Sequence, residues 1–313
     1  MISIGLDVGG TKILGISIDA SDPGTVLAEH RVATPEGGAG LVDTICEVLE
    51  ALVASGEAPS ALGVGVPGLV DREGRLHVGP HLGLIEDLPL AQLLTNRATL
   101  PTVVDNDANC HAVAERACGA ARSDDALVVT FGTGIGAGVI AGGRLLRGTN
   151  GFAGEPGHMI VDRDGLECPC GQRGCWEQYA SGTGLANLAR IAAHERRIDG
   201  IVLEAGGDPD AVRGEQVTAA ARAGDPAAVQ ILDELAGWMA LGLANLTNLL
   251  DPAVIVVGGG LVEAADLLLP KLREDFTSMV MGGVRRPPVT IVPAALGERA
   301  GAIGAAVLAA GSA

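Results

Sequence analysis

Residues 2–18 read ISIGLDVGGTKILGISI. An apolar strand over residues 2–6 runs into Asp7-Val8-Gly9-Gly10-Thr11-Lys12, and a second strand follows over residues 13–18. The pattern predicts a hairpin whose glycines let backbone N–H groups approach an anion and point at it. Asp7 adds a carboxylate able to hold hydrated Mg²⁺, Thr11 a hydroxyl, and Lys12 a cation. The chain has only one other lysine, Lys271, so a lysine inside this turn stands out.

The same unit returns downstream. Residues 6–16 can be laid over residues 129–139, with Gly9 on Gly132 and Gly15 on Gly138. Gly132-Thr133-Gly134 then forms a second strand, glycine turn and strand. A duplicated hairpin predicts two similar lobes facing a cleft. Gly258-Gly259-Gly260, between a strand and a helix, offers a third place where a nucleotide can lie on backbone and a helix N-terminus. A single glycine turn is ordinarily only a turn; three in this order describe a site for nucleotide phosphates. No G-x-x-x-x-G-K-[ST] occurs, which excludes a P-loop. Residues 132–137 imitate a dinucleotide fingerprint, but strand rather than helix follows, which excludes that reading.

Around these hairpins the reading is α/β. Strands are expected over residues 25–32, 61–66 and 254–257, and helical sequence over 41–54, after Asn109 to about 118, in long stretches over about 184–250, and over 262–276 and 298–310. The expected division is a smaller first lobe, 1–118, and a larger second lobe, 119–297, carrying a loop over 155–177. At 313 residues and 48% hydrophobic, the chain can bury a sizeable core. It lacks both a long uncharged apolar run and a signal-peptide layout at its start, so a soluble cytoplasmic protein with no membrane partner is expected. A formal charge of −17 argues against nucleic acid as a partner.

Three of the six cysteines crowd into Cys168-Pro169-Cys170-Gly171-Gln172-Arg173-Gly174-Cys175, with His158 ten residues upstream of the first. Three thiolates and an imidazole make a closed tetrahedral set for structural Zn²⁺. The alternative is three buried free cysteines. The loop also carries Glu155 and Glu177, fixed polar groups of the kind that read sugar hydroxyls. Asp105-Asn106-Asp107-Ala108-Asn109 stands where a strand becomes a helix. Phosphoryl transfer from ATP to an alcohol needs a carboxylate to accept the hydroxyl proton, and Asp107 is the candidate, with Asn106 as a hydroxyl partner. The same cluster reads equally as a helix N-cap.

Together, residues 7–12, 106–109 and 132–136, Glu155-Pro156-Gly157-His158 and Cys168-x-Cys170-Gly171-x-x-Gly174-Cys175-x-Glu177 resemble the ROK family of repressors and sugar kinases. The stretch Gly174-Cys175-Trp176-Glu177-Gln178-Tyr179-Ala180-Ser181-Gly182 looks particularly like its zinc-containing bacterial glucokinase branch. The resemblance implies the actin-like ATPase (ribonuclease H-like) fold, its two lobes around a nucleotide and sugar cleft. It also implies that the C-terminal helix, about 298–313, packs back on the first lobe. It implies Asp107 as catalytic base and Gly68, Asn106, Asp107, Glu155, His158 and Glu177 as contacts for glucose or a related hexose. Nucleotide contacts would come from Asp7, Gly9, Gly10, Thr11, Lys12, Gly132, Thr133, Gly134, Gly258, Gly259 and Gly260. Zinc ligation falls on His158, Cys168, Cys170 and Cys175. ATP, Mg²⁺ and structural Zn²⁺ are the implied cofactors, and a homo-oligomer, dimer or tetramer, the implied assembly. His81 and Leu84 stand where many members have Asn and Trp, which leaves N-acetylmannosamine, N-acetylglucosamine or fructose open as substrates and polyphosphate open as donor. The repressor branch carries a helix-turn-helix before this hairpin; here the chain starts directly in it, and Asp107 argues against a non-catalytic sugar sensor.

Overall fold

The computed structural model describes residues 1–79, 82, 83 and 85–311. The opening hairpin forms as β1 (Ile2–Val8) and β2 (Lys12–Asp19), followed by β3 (Asp22–Ala33), α1 (Gly38–Ala54) and β4 (Ala61–Val66). Next come β5 (Leu69–Val70), β6 (Leu76–Gly79), β7 (Ile85–Leu88), α2 (Leu90–Ala98), β8 (Thr102–Asn106) and α3 (Asp107–Ala117). The second hairpin is β9 (Ala126–Phe131) with β10 (Ile135–Ala141), extended by β11 (Arg144–Leu145). Five helices follow: α4 (Glu177–Ala180), α5 (Gly182–His194), α6 (Asp199–Glu204), α7 (Gly214–Arg222) and α8 (Pro226–Leu250). The chain closes with β12 (Val254–Gly258), α9 (Ala265–Met279), β13 (Thr290–Pro293) and α10 (Ala300–Ala310).

The duplication seen in sequence is a duplication of topology. One sheet is ordered β3-β2-β1-β4-β8 and the other β11-β10-β9-β12-β13. In each, the glycine hairpin is antiparallel and its first strand pairs in parallel with the next strand inward, β1 with β4 and β9 with β12. The matched glycines of the two second strands solve one packing problem. A Cβ on Gly15 would overlap Val48 of α1, and a Cβ on Gly138 would overlap Ala112 of α3. Each glycine admits a helix close against its sheet.

The sheet of β1 and β4 receives α10 in the same way. Gly5 and Gly63 are partners in adjacent strands, and a Cβ on either would overlap the backbone of α10, at Ala302 and Ala305. The alanine-rich sequence of α10 lets its backbone come that near. Its other neighbour is α3, where Gly304 lies on the Cys110 carbonyl. The largest apolar cluster sits between the second sheet and helices α5 to α9, around Phe131, Trp176, Leu235, Met239 and Leu243. Among the described residues α8 is the one helix long and apolar enough to cross a membrane, but its apolar face, including Ile231, Leu235, Met239 and Leu243, is buried in that cluster.

Three expectations need correction. The long helical stretches expected over 184–250 are four helices, α5 to α8, because Gly206-Gly207, Pro209 and Gly224-Asp225-Pro226 interrupt them. Asp225 caps α8 by accepting from Ala227 N (2.8 Å) and Ala228 N (3.3 Å), with Pro226 at the first helical position. The helix expected from residue 262 is a 3₁₀ turn over Gly260–Ala264 before α9 begins, and α10 starts at Ala300 after a similar turn over Gly297–Arg299. The small sheet of β5, β6 and β7 has no counterpart in the sequence reading. Two of its strands hold only two and four residues with no clear alternation.

Candidate active site

The C-terminal ends of the parallel strands β1, β4 and β8 lie level, with Asp7 opposite Gly65, Gly65 opposite Asp105, and Val66 opposite Asn106. In open parallel sheets such ends are where ligands bind. Asn106 caps α3, its Oδ1 accepting from Ala108 N (2.8 Å) and Asn109 N (3.2 Å). Its Nδ2 donates to the Gly68 carbonyl (3.1 Å), which leaves the second amide hydrogen for a ligand. The N-cap reading of this cluster is therefore correct, and capping aims the rest of the side chain. Asp107, half-buried, is the first residue of α3. Gly68 holds φ 121°, and a Cβ there would overlap the Val78 carbonyl.

Asp7 faces the same corner. Burial pushes its carboxyl up to about 6; His111 pulls it down, the Asp107 charge pushes it up, and Lys12 pulls it down. Its carboxylate accepts no hydrogen bond among the described residues. The desolvated Asp7 carboxylate beside that of Asp107, whose Oδ1 accepts from Ala108 N (2.9 Å), forms a donor set that a hydrated divalent cation relieves, so the residues fit Mg²⁺. The turn beyond Asp7 is closed by Gly9 N to Lys12 O (2.8 Å) and exposes Gly10, Thr11 and Lys12. Lys12 pairs with Glu298 (2.7 Å), which Arg31 shares (2.7 Å); those two partners lower the Glu298 carboxyl to about 2. The lysine is thus held at the rim of the hairpin by α10's leading turn.

The second hairpin turns at Gly132 N to Gly134 O (3.0 Å). It is braced by the start of α5, through Gly182 N to Gly132 O (2.8 Å) and Thr183 Oγ1 to Thr133 O (2.7 Å). Gly259, at φ 84°, lies on the Phe131 backbone, 2.5 Å from where its Cβ would be. Gly132, Thr133, Gly182, Thr183 and Gly260 line a cavity of about 950 Å³ whose lining also includes Arg190 and Arg213. Gly258 is buried behind it and Gly259 and Gly260 are exposed. The α5 residues were not among the sequence candidates, although Ser181-Gly182-Thr183-Gly184 is itself a small, glycine-rich helix start.

His158, Cys168, Cys170 and Cys175 offer donor atoms that all lie within 4.8 Å of one another. Cys170 Sγ and Cys175 Sγ are 3.6 Å apart, and Cys168 Sγ is 3.9 Å from His158 Nδ1. A tetrahedron with Zn–S bonds of about 2.3 Å has edges of about 3.8 Å. The four residues fit one zinc ion. The loop is shaped for this by backbone pairing: Trp176 N donates to Met159 O (2.8 Å) and Val161 N to Gly174 O (2.8 Å), which brings the His158 segment alongside Cys175. With Nδ1 on the thiols, His158 presents Nε2 on the opposite edge of its ring.

Glu177 joins this loop to the phosphate turn. Its Oε1 lies 3.4 Å from Cys168 Sγ and 3.8 Å from His158 Nδ1, and its Oε2 lies 2.6 Å from where a Cβ on Gly134 would be. Glu155, half-buried, is pushed up to about 7 by burial and then by the charges of Asp107 and Glu177. Carboxylates from α3, from the zinc loop and from α4 therefore act on one another across a single space. Trp176, fully buried, fastens the loop beneath: its Nε1 donates to Trp238 O (2.7 Å) and its ring meets Phe131 edge-on at 5.5 Å. The positions His81 and Leu84, where the sequence departs from the common pattern, lie outside the described residues.

Two glycine hairpins from duplicated sheets, opposed across a cleft with carboxylates at the strand ends, define an actin-like ATPase fold. The chain belongs to the ROK family, whose model matches residues 3–312. It is 39% identical to a glucokinase of Streptomyces coelicolor over 312 residues, 98% of this chain and 97% of that one. Among solved structures it resembles a ROK family glucokinase from Streptomyces griseus in complex with glucose and AMPPNP. That match has 40% identity and a TM-score of 0.86, covering 99% of this chain and 100% of that one. A ROK hexokinase from Thermus thermophilus matches at 33% identity and TM-score 0.84, over 100% and 99% of the two chains.

Proposed function

We propose that this protein transfers the γ-phosphoryl group of ATP to the 6-hydroxyl of glucose. The observation that carries the reading is the convergence of Asp107, Glu155 and Glu177 beside the Gly132–Gly134 turn, with the 950 Å³ cavity opening from the same turn. The relatives named glucokinase support glucose and ATP as the substrates.

In this reading the hydroxyl oxygen attacks the γ-phosphorus, the bond from that phosphorus to the bridging oxygen breaks, and the hydroxyl proton passes to Asp107. Asn106 donates its remaining amide hydrogen to the sugar, Gly68 its N–H, and Glu155, Glu177 and His158 Nε2 hold the other hydroxyls. Backbone N–H groups of Gly10, Thr11, Thr133 and Gly134 receive the phosphates on turns that Gly9 and Gly132 close, with Lys12 moving from Glu298 to them, and the nucleoside lies along Gly258–Gly260. Asp7 holds the water shell of Mg²⁺, which when bound neutralises charge on the transferring phosphates. His158, Cys168, Cys170 and Cys175 hold a structural zinc that keeps Glu177 and His158 in place. The first lobe is residues 1–118 with the C-terminal helix, and the second 119–297.

The test is a coupled assay with purified protein over glucose, mannose, fructose, N-acetylglucosamine and N-acetylmannosamine, each with Mg-ATP and with polyphosphate. Glucose with Mg-ATP is expected to turn over fastest and to yield glucose 6-phosphate by NMR. Absence of turnover on every hexose would remove the kinase reading.

A further inference from the structure

Asp105 is buried at the end of β8, two residues before the proposed base. Its carboxylate accepts three hydrogen bonds: Oδ1 from Asn106 N (2.8 Å) and from Asn109 Nδ2 (2.8 Å), and Oδ2 from Arg147 Nε (2.7 Å). Arg147 does not belong to this sheet. It follows β11 in the other one, at the start of the segment that leads to Glu155.

That segment touches the first lobe at Gly148, Gly151 and Phe152 before Gly154 returns to β10, where its carbonyl accepts from Ala137 N (3.1 Å). Arg72 Nε donates to the Gly148 carbonyl (3.0 Å), and Gly151 presses on Val70 and Asp71, 2.6 Å from the Val70 carbonyl to where its Cβ would be. Phe152 meets His77 edge-on at 5.3 Å, and Ala153 N returns to the Arg147 carbonyl (3.1 Å). Asn109, also buried, turns Oδ1 toward Gly154, 3.7 Å from where a Cβ there would be. The corner that holds Asn106 and Asp107 and the loop that holds Glu155 thus share one buried carboxylate.

A buried ion pair contributes little net stability compared with apolar packing, since desolvation offsets most of its attraction. What it does supply is direction. Three donors leave the Asp105 carboxylate no rotational freedom, and displacing a catalytic group by about 1 Å can cost about a hundredfold in rate. We propose that Arg147 is a positioning residue for phosphoryl transfer: through Asp105 it holds the Asn106–Asp107 corner in register with the Glu155 loop across the lobe boundary. The proposal rests on the reading of Asp107 as base.

Arg147→Met, Arg147→Gln, Arg147→Lys, Asp105→Asn, the double variant Asp105→Asn with Arg147→Met, and Asp107→Asn are compared by kcat, by KM for glucose and for ATP, and by thermal unfolding. Arg147→Met and Arg147→Gln are expected to lower kcat by about ten- to a hundredfold while KM for ATP stays within about twofold. Arg147→Lys should recover most of the loss, and the double variant should be no slower than the worse single one. A scaffold role alone would lower the unfolding temperature and leave kcat per folded molecule unchanged. Wild-type kcat, within about twofold, in either folded uncharged variant overturns the proposal; Arg147→Gln keeps a donor and serves if Arg147→Met does not fold. Asp107→Asn separates the two readings: if it is active, the base assignment fails, and if it is dead while Arg147→Met is fully active, the positioning role alone fails.

Discussion

Glu155→Gln offers a direct measure of how strongly the cleft acts on its own charges. Burial, Asp107 and Glu177 raise the Glu155 carboxyl from its ordinary 4.5 to about 7. The folded protein therefore binds this proton more tightly than the unfolded chain does. Stability associated with the protonated group is present at low pH and is lost as pH rises from 4.5 through about 7. A displacement of that size is worth about 3 kcal/mol in full, of which roughly 2 to 3 kcal/mol falls between about pH 5 and pH 8. Glutamine keeps the shape and removes the titration. Asp7 titrates in the same window, but it does so in both proteins and cancels in their difference. Urea unfolding of zinc-loaded protein at a series of pH values should show the variant gaining on the wild type by that amount toward the alkaline end. Glucose binding provides a second readout. If the bound sugar donates to an ionised Glu155, wild-type affinity falls about tenfold from about pH 8 to pH 6, whereas the variant's is flat. A stability difference constant to within about 0.5 kcal/mol across the range would refute the electrostatic picture of the site.

Two further outcomes follow from the loop and the nucleotide side. Cys175→Ser should reduce bound zinc from about one ion per chain toward none by native mass spectrometry, and should weaken glucose binding more than ATP binding, because Glu177 and His158 lean on the cluster. Undiminished zinc content would show that the four residues are not one site. Gly259→Ala forces a Cβ to within 2.5 Å of the Phe131 backbone at φ 84°, so a loss of about 1–3 kcal/mol in chemical unfolding is expected, with KM for ATP raised and KM for glucose little changed.

Parts of this molecule that rest on backbone glycine were open to reading from sequence. Gly9 and Gly132 announce turns, Gly15 and Gly138 repeat at the same distance from them, and that spacing is a local property of one hairpin; that a helix packs on Gly15 and Gly138 is seen only in the structure. The cysteine cluster was open for the same reason, since Cys168 and Cys170 through Cys175 lie within one loop. What lay hidden depends on contacts between distant segments. Arg147 and Asp105 are 42 residues apart, and nothing near either one marks it as a partner. The link exists only because the 147–154 segment settles on the β5–β6 turn, and that small sheet has strands too short to show a period. Lys12 looked like a phosphate ligand from its place in the turn, yet 286 residues later Glu298 supplies it with a carboxylate at 2.7 Å.

The motif around Trp176 shows how a local signature can be legible while its cause is not. Glu177 is a sugar candidate by its place after Cys175, but its position is set from two sides. Above, its Oε2 occupies the space that a side chain on Gly134 would fill. Below, the adjacent Trp176 is clamped between Phe131, the residue before Gly132, and Gly242 of α8, where a Cβ would overlap the indole. The zinc loop and the second phosphate turn are therefore one packed body, joined through Phe131 and Trp176. In such a body, loss of a bound metal is expected to displace Glu177 directly and the Gly132 turn only through Trp176 and Phe131, which is why glucose binding should suffer more than ATP binding. In the proposed reading, a zinc ion there would act on the sugar through His158 and Glu177 and on the phosphate turn only through the packing of Trp176 on Phe131.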